Sequence, residues 1–225
     1  MPELKKTKLE KWPLMAGDYL LGNSSESPVV VVTLASNLEL DRGSFALAGG
    51  MRTENLGVER IVTNVLANPN VRFVILCGEE SKGHMAGQAL LSLWKNGVDG
   101  KGRITGAKGA FPYVENVPRE AIERFRKQVG LVDMIGELDA GVVGRKCAEL
   151  SSKDPGSFGE PFLFVEIERE EEKMAASAEG SLLVCGDVLY DYNANLVFVR
   201  GGGGSVEGGG SSAEGGGGSE DKRGD

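Results

Sequence analysis

Residues 28–34 read PVVVVTL, and this run constrains the fold more than any other stretch of the chain. Five consecutive β-branched residues, Val29 to Thr33, favour a strand, and they show none of the polar–apolar alternation of a half-solvated one. A strand buried on both faces reads this way, and such strands belong to parallel sheets covered by helices. Val71–Cys77 repeats the pattern. Between the two runs, Val58, Ile61, Val62, Val65 and Leu66 recur at helical spacing, and Asn68-Pro69-Asn70 ends that stripe. Ala86, Ala89, Leu90, Leu93 and Trp94 form a second helical stripe, closed by Asn96-Gly97. A third, opened by Pro118, carries Ala121, Ile122, Phe125 and Val129. A fourth, capped by Asp139, carries Val143, Cys147 and Leu150. Leu131–Ile135 reads as a short strand, as do Arg103–Ala107 and Pro161–Ile167. Strands alternating with helices predict a single-domain, doubly wound α/β fold, Rossmann-like, with a mostly parallel sheet and helices on both faces.

The folded domain is expected over residues 12–199, after a charged, flexible segment 1–11. Trp12-Pro13-Leu14 and Tyr19-Leu20-Leu21 should pack on it in extended form. Ala35–Arg52 reads as one long loop, of a length that invites function. Glu168–Lys173 is a charge run, and Ser181–Cys185, Val188–Tyr190 and Leu196–Val199 read as terminal strands. Residues 201–225 hold 12 of the 34 glycines and almost no apolar side chain, so residues 200–225 are expected to be a flexible tail resembling a linker.

The net charge of −8 argues against a nucleic-acid-binding surface, which needs a basic face. Cys77, Cys147 and Cys185 form no CxxC, which suits reduced thiols in the cytoplasm. The N-terminus lacks a signal-peptide core, and no apolar run approaches the ~20 residues of a membrane span.

Function is sought where strands end, because ligands in open α/β sheets bind beyond the carboxyl ends of the strands. His84, the one histidine of the chain, follows the strand Val71–Cys77 there. The loops Ala35–Arg52 and Lys108–Asn116 should share that edge. Ser36, Asn37, Gly49, Gly50, Gly78, Gly83, Gly87, Pro112 and Tyr113 are the candidate lining residues, each of which also suits plain turn chemistry. Gly78 and Gly83 have the spacing of a phosphate loop, but His84-Met85 stands where Lys-Ser/Thr is required, and Glu79 and Glu80 would repel phosphate. No GxGxxG supports a dinucleotide. His84 with Cys77 as nucleophile would need an orienting group that the sequence does not reveal. Zinc needs three or four ligands. A single imidazole can instead serve a metal held by a macrocycle, haem or corrinoid. A lone histidine is as readily a plain surface or hydrogen-bonded residue.

The stretches WPLMAGDYLLGNSSESPVVVVTLAS, TENLGVERIVTNVLANPNVRFVILCGEESKGHMAGQALLSLWKNGVD and ITGAKGAFPYVENVPREAIERFRKQVGLVDMIG, followed by SKDPGSF, span most of residues 12–160. In content and order they resemble the A subunits of archaeal tetrahydromethanopterin S-methyltransferase. The resemblance implies a cobamide of the 5-hydroxybenzimidazolyl type, with His84 as lower axial cobalt ligand. It implies methyl transfer from methyl-tetrahydromethanopterin through cobalt to coenzyme M in methanogenesis. The partners would be the other subunits of a membrane complex that transports sodium. Imidazole would bind Co(III) and leave Co(I), so the second ring nitrogen should have an acceptor, for which Glu79 or Glu80 are nearest in sequence. His84-x-x-Gly87 matches the wider corrinoid pattern Asp-x-His-x-x-Gly, but Lys82 stands in place of its Asp. Family members end in a membrane helix where this chain has its glycine-rich tail, so a soluble paralogue delivering cobamide to another methyl-transfer system is the alternative.

Overall fold

A computed structural model describes residues 5–9 and 11–164, and beyond them the backbone of three strands at 182–185, 188–191 and 196–199. Residues 165–167, the charge run 168–173 and the tail 200–225 lie outside the described residues.

The valine run forms the sheet's centre. Strand β2 (Val29–Val32) lies between β3 (Leu47–Gly49) and β4 (Phe73–Gly78), with β5 (Gly130–Ile135) beyond β4 and β1 (Tyr19–Leu21) beyond β3. All neighbours are parallel except β1, which runs antiparallel on the edge. The alternation missing from the sequence is present in space. Val30, Val32, Val74 and Leu76 face one core with α1 (Leu56–Ala67), α2 (Ala86–Asn96) and α3 (Arg119–Gln128). Val29, Val31, Ile75 and Cys77 face the other, with Val143, Cys147 and Leu150 of α4 (Ala140–Ser151). Every valine of the run is at most 1% exposed, so both faces exclude water as the composition requires. The α/β class with helices on both faces is therefore observed.

Local chemistry sets the helix boundaries. Asn55 Oδ1 accepts from Leu56 N–H at the start of α1, and Asp139 Oδ1 accepts from Gly141 and Val142 N–H at the start of α4. Gly97 ends α2 with φ of 72°, a conformation natural to glycine. The segment before β1 is docked on α1. Trp12 Nε1–H donates to Asn64 O at 2.7 Å, and Asn64 Oδ1 accepts from the N–H groups of Leu14 and Met15. Thr7 exchanges two hydrogen bonds with the Asn70 side chain, so residues 5–9 are also held.

Three expectations are corrected. Ala35–Arg52 is not one loop: it contains a 3-10 turn at Arg42–Ser44 and the strand β3. Arg103–Ala107 is not a strand, because only isolated bridges form, between Val98 and Ile104 and between Arg103 and Tyr113. Residues 161–164 run without strand pairing; Phe162 and Phe164 pack as single side chains against the three-helix core.

The second unit, from Glu168, contains β6 (Leu182–Cys185), β7 (Val188–Asp191) and β8 (Leu196–Val199) in an antiparallel sheet of order β6-β7-β8.

Candidate functional site

From β2 the chain passes first to β3 on one side and then to β4 and β5 on the other. This reversal of direction makes a topological switch point at the carboxyl ends of β2 and β4, the place where open α/β sheets bind ligands. Ser36 bridges it: its Oγ accepts from Glu79 N–H at 2.9 Å. Gly78 closes β4 with φ of 80°, and a Cβ there would lie 2.2 Å from Thr33 O, so only glycine lets the two strand ends approach. Gly87, in the first turn of α2, packs against Leu34 and Ile135. Leu34 and Met85 hold left-handed φ angles of 52° and 49°. Such residues cost about 1–3 kcal/mol each and cluster at sites where surrounding structure imposes them.

His84 lies in the turn before α2 rather than in the helix. The N–H groups of His84 and Met85 both donate to Ser81 O, and Gly83 beside them has φ of 82° and open space around it. The imidazole is 52% exposed, and its Nδ1 lies 2.7 Å from Oε2 of Glu54, whose side chain is 1% exposed. The other oxygen, Oε1, accepts from Phe111 N–H at 2.6 Å. One buried carboxylate thus fastens both the histidine and the loop after α2. Burial pushes the Glu54 carboxyl up. The N–H groups of Phe111 and of Glu54 itself, with the hydrogen bond and charge of His84, outweigh that and hold it below the ordinary carboxylate value. An ionised carboxylate only accepts, so Nδ1 carries the proton in this contact and Nε2 is the ring nitrogen that Glu54 leaves free.

This corrects the expected acceptor. Glu79 is exposed and touches the site only through its backbone. Glu80 is occupied elsewhere: its two oxygens accept from Gly87 and Gln88 N–H at 3.0 and 2.6 Å. Met85, at the N-cap of α2, makes no side-chain capping bond, so Glu80 satisfies the free N–H groups of the first turn.

The loop Lys108–Asn116 does reach His84. Gly109 lies so close that a Cβ there would sit 2.2 Å from His84 O. Pro112 is buried and accepts from Ile104 N–H, while Tyr113 stacks on Phe111 with centroids 4.7 Å apart. Asn37, Gly49 and Gly50 point elsewhere, lining a hollow of about 250 Å³ with Asp18 and Tyr19. Gly49 and Gly50 also line a cavity of about 280 Å³ beside Arg52 and Arg60. Gly49 has a packing reason as well, because a Cβ would lie 2.5 Å from Asp18 O of the segment entering β1. Glu54, Gly109 and Phe111 are the site residues that sequence reasoning missed.

Cys77 turns away from His84 into the α4 core and is 0% exposed. Burial, then repulsion from Cys147 and Glu137, pushes its thiol up to about 12; burial pushes Cys147 up to about 11. A thiol nucleophile paired with His84 is therefore excluded by geometry and by protonation. Iodoacetamide at pH 8 is expected to leave both unmodified in the folded protein and to modify both in urea, read by peptide mass spectrometry. Rapid native labelling of Cys77 would restore it as a candidate.

Among the described residues, no group of three or more His, Cys, Asp or Glu side chains is placed to hold a metal ion. No helix among them is long and apolar enough to cross a membrane. Ser81 Oγ, a buried hydroxyl in the same turn as His84, has no hydrogen-bond partner among the described residues.

Comparison with known proteins shows the family. The sequence profile of the MtrA family, the A subunits of tetrahydromethanopterin S-methyltransferase, matches residues 5–175. The second of two such A subunits from Methanobrevibacter ruminantium is 49% identical over 169 residues, 74% of this chain and 87% of the relative. The first of the two from Methanothermobacter marburgensis is 47% identical over 175 residues, 75% of this chain and 73% of its own. The A subunit from Methanopyrus kandleri is 43% identical over 207 residues, covering 88% and 82%. Glu54, His84 and Phe111 all lie inside the matched region, and the chain belongs to the family of tetrahydromethanopterin S-methyltransferase A subunits.

Proposed function

We propose that this chain is the cobamide-carrying subunit of a methyltransferase, with His84 Nε2 as the axial cobalt ligand. The observation that carries the reading is the Glu54–His84 pair. A buried carboxylate held below its ordinary pKa lies 2.7 Å from Nδ1 of a half-exposed imidazole and leaves Nε2 free of it. Metal-binding histidines are characteristically oriented this way, through a carboxylate or carbonyl on the second nitrogen. A lone imidazole suits a metal whose equatorial positions are filled by a macrocycle.

When bound, a corrinoid cobalt supplies a nucleophilic centre able to accept a methyl group and release it to a thiolate. The donor and acceptor are then methyl-tetrahydromethanopterin and coenzyme M, and the partners are the other subunits of the complex, whose activity is coupled to sodium transport. The chain's own part is to set the ligand's protonation and direction. Glu54 keeps the proton on Nδ1 and makes Nε2 more basic. Gly83, where a Cβ would meet nothing within 4 Å, borders open space next to His84 in the turn.

Reconstituting the purified protein, labelled with ¹⁵N at its single histidine, with cobalamin is expected to give ¹⁵N coupling in the electron paramagnetic resonance spectrum of the Co(II) form, distinct from the ¹⁴N coupling of cobalamin's own base. His84→Ala should abolish it. Absence of binding, or coupling that survives His84→Ala, overturns the reading. Cobalt ligation without methyl transfer, in the presence of the other subunits, donor and acceptor, would instead assign the chain to another methyl-transfer system.

A further inference from the structure

Phe111 is an exposed aromatic on a loop that is not free to move. Three buried or half-buried side chains fasten the loop at successive points. Gln88 of α2 accepts from Lys108 N–H at 2.9 Å, and Glu54 accepts from Phe111 N–H at 2.6 Å. Glu59 of α1, 8% exposed, accepts from Asn116 N–H and Nδ2–H at 3.0 and 2.9 Å. Gly109, packed on His84 O, adds a contact that no larger residue permits. Below Phe111 lies Tyr113, its ring 4.7 Å away by centroid and tilted by 38°. The Arg103 guanidinium stands 5.7 Å from the Tyr113 centroid on a partly buried stem, which fixes the tyrosine in turn.

The outcome is a phenylalanine 55% exposed, on a rigid mount, in the same neighbourhood as a half-exposed imidazole. A ring held 55% exposed on a fixed mount needs no rearrangement to meet a ligand, and covering it removes apolar surface from water. The occupant follows from the mount. Phe111 N–H and His84 Nδ1 contact the two oxygens of one carboxylate, so the Phe111 backbone and the imidazole are held one carboxylate's span apart, and a group as broad as a macrocycle on His84 comes within reach of the loop. A flat macrocycle with methyl groups along its edge needs an apolar contact of this kind.

We propose that Phe111, seated on Tyr113, is the apolar wall against which the corrinoid carried at His84 rests. The inference depends on the corrinoid reading and adds to it a residue that sets affinity without ligating cobalt.

The test titrates the full chain with hydroxocobalamin by visible absorbance and compares Phe111→Ala, Phe111→Trp and the parent. Phe111→Ala should raise Kd by about tenfold, and Phe111→Trp should keep it within about threefold. After the saturated complexes are reduced to Co(II), ¹⁵N coupling from labelled His84 should persist in all three. Thermal midpoints without cofactor should agree within about 3 °C, since the ring is exposed. An unchanged Kd in Phe111→Ala overturns the proposal. So does a Kd that rises together with a fall in thermal midpoint, which would make the ring part of the fold. If the parent binds no cobalamin, the corrinoid reading fails and this proposal with it. If the parent binds with nitrogen coupling and Phe111→Ala binds equally well, this proposal alone fails.

Discussion

Replacing Gly109 by alanine is expected to destabilise the protein by about 3 kcal/mol and to weaken cofactor binding at His84 in the same variant. The added methyl would lie 2.2 Å from His84 O and 2.9 Å from Glu54 Cγ. Neither obstacle is the free end of a flexible side chain. One is backbone, in a turn whose next residue already holds a left-handed φ, and the other belongs to a carboxylate held at both oxygens. The loop or the His84 turn must move, and either movement strains the Glu54 hydrogen bonds. Urea unfolding checks the first effect, as a lower midpoint at unchanged slope, and cobalamin titration checks the second. Gly144→Ala is the control of opposite sign. Gly144 is in the interior of α4 with open space around it, so alanine there should stabilise by about 0.5–1 kcal/mol. Equal stability of the Gly109→Ala and parent proteins would show that the loop has slack where the contacts leave none.

The second large effect is expected from Glu54→Gln, which alters the proton and little else. The carboxylate accepts two hydrogen bonds, one from Phe111 N–H and one from His84 Nδ1–H. A carboxamide of the same shape has one accepting oxygen and one donating nitrogen. If the oxygen stays with Phe111, the NH₂ group faces Nδ1. The ring then becomes the other tautomer, with Nδ1 accepting and the proton on Nε2, where no metal can bind. If the amide turns over, its NH₂ opposes Phe111 N–H and the loop loses its anchor. Cobalamin affinity is expected to fall about 10–100-fold, the usual scale for a lost carboxylate behind a ligating histidine. The single histidine makes this direct to observe, because an imidazole ¹⁵N spectrum of the labelled protein has one ring to report. The parent should show a protonated Nδ1 and Glu54→Gln a protonated Nε2. A parent ring protonated at Nε2 at neutral pH would defeat both this prediction and the ligand assignment.

The parts of the fold legible in the sequence were those whose signal is local. The valine run and Val71–Cys77 announce doubly covered strands because each residue reports its own burial. The helices announce themselves by spacing, and Asn55, Gly97 and Asp139 mark their ends by side-chain chemistry. Strand β3 was hidden because Leu47-Ala48-Gly49 has almost no strand preference of its own; Val30–Val32 on one side and Tyr19–Leu21 on the other make it a strand. His84 could be picked out, being alone and just beyond a central strand. Its partner could not. Glu54 reads as one more polar residue before a helix, and no spacing rule joins it to a histidine 30 residues later. Glu79 and Glu80 were nearer in sequence, but a helix lacking a capping side chain had prior use for Glu80. Phe111 was missed by one residue, since the loop's candidates were Pro112 and Tyr113, and the Tyr113 ring is the one that meets it.

The shared carboxylate has a further meaning when viewed as polymer physics. It joins segments 30 and 57 residues apart, and bringing such segments together costs several kcal/mol of chain entropy. Two hydrogen bonds, worth about 1–3 kcal/mol each with an ionised acceptor, cannot supply that and still fix a geometry. The sheet and its helices supply it, by aligning β2, β4 and their flanking turns before the carboxylate makes either bond. A peptide spanning residues 71–93 would therefore contain the histidine and lack its tautomer. The identity of the free nitrogen on His84 is a property of the completed tertiary structure, written at a distance by a residue that never touches what the histidine binds.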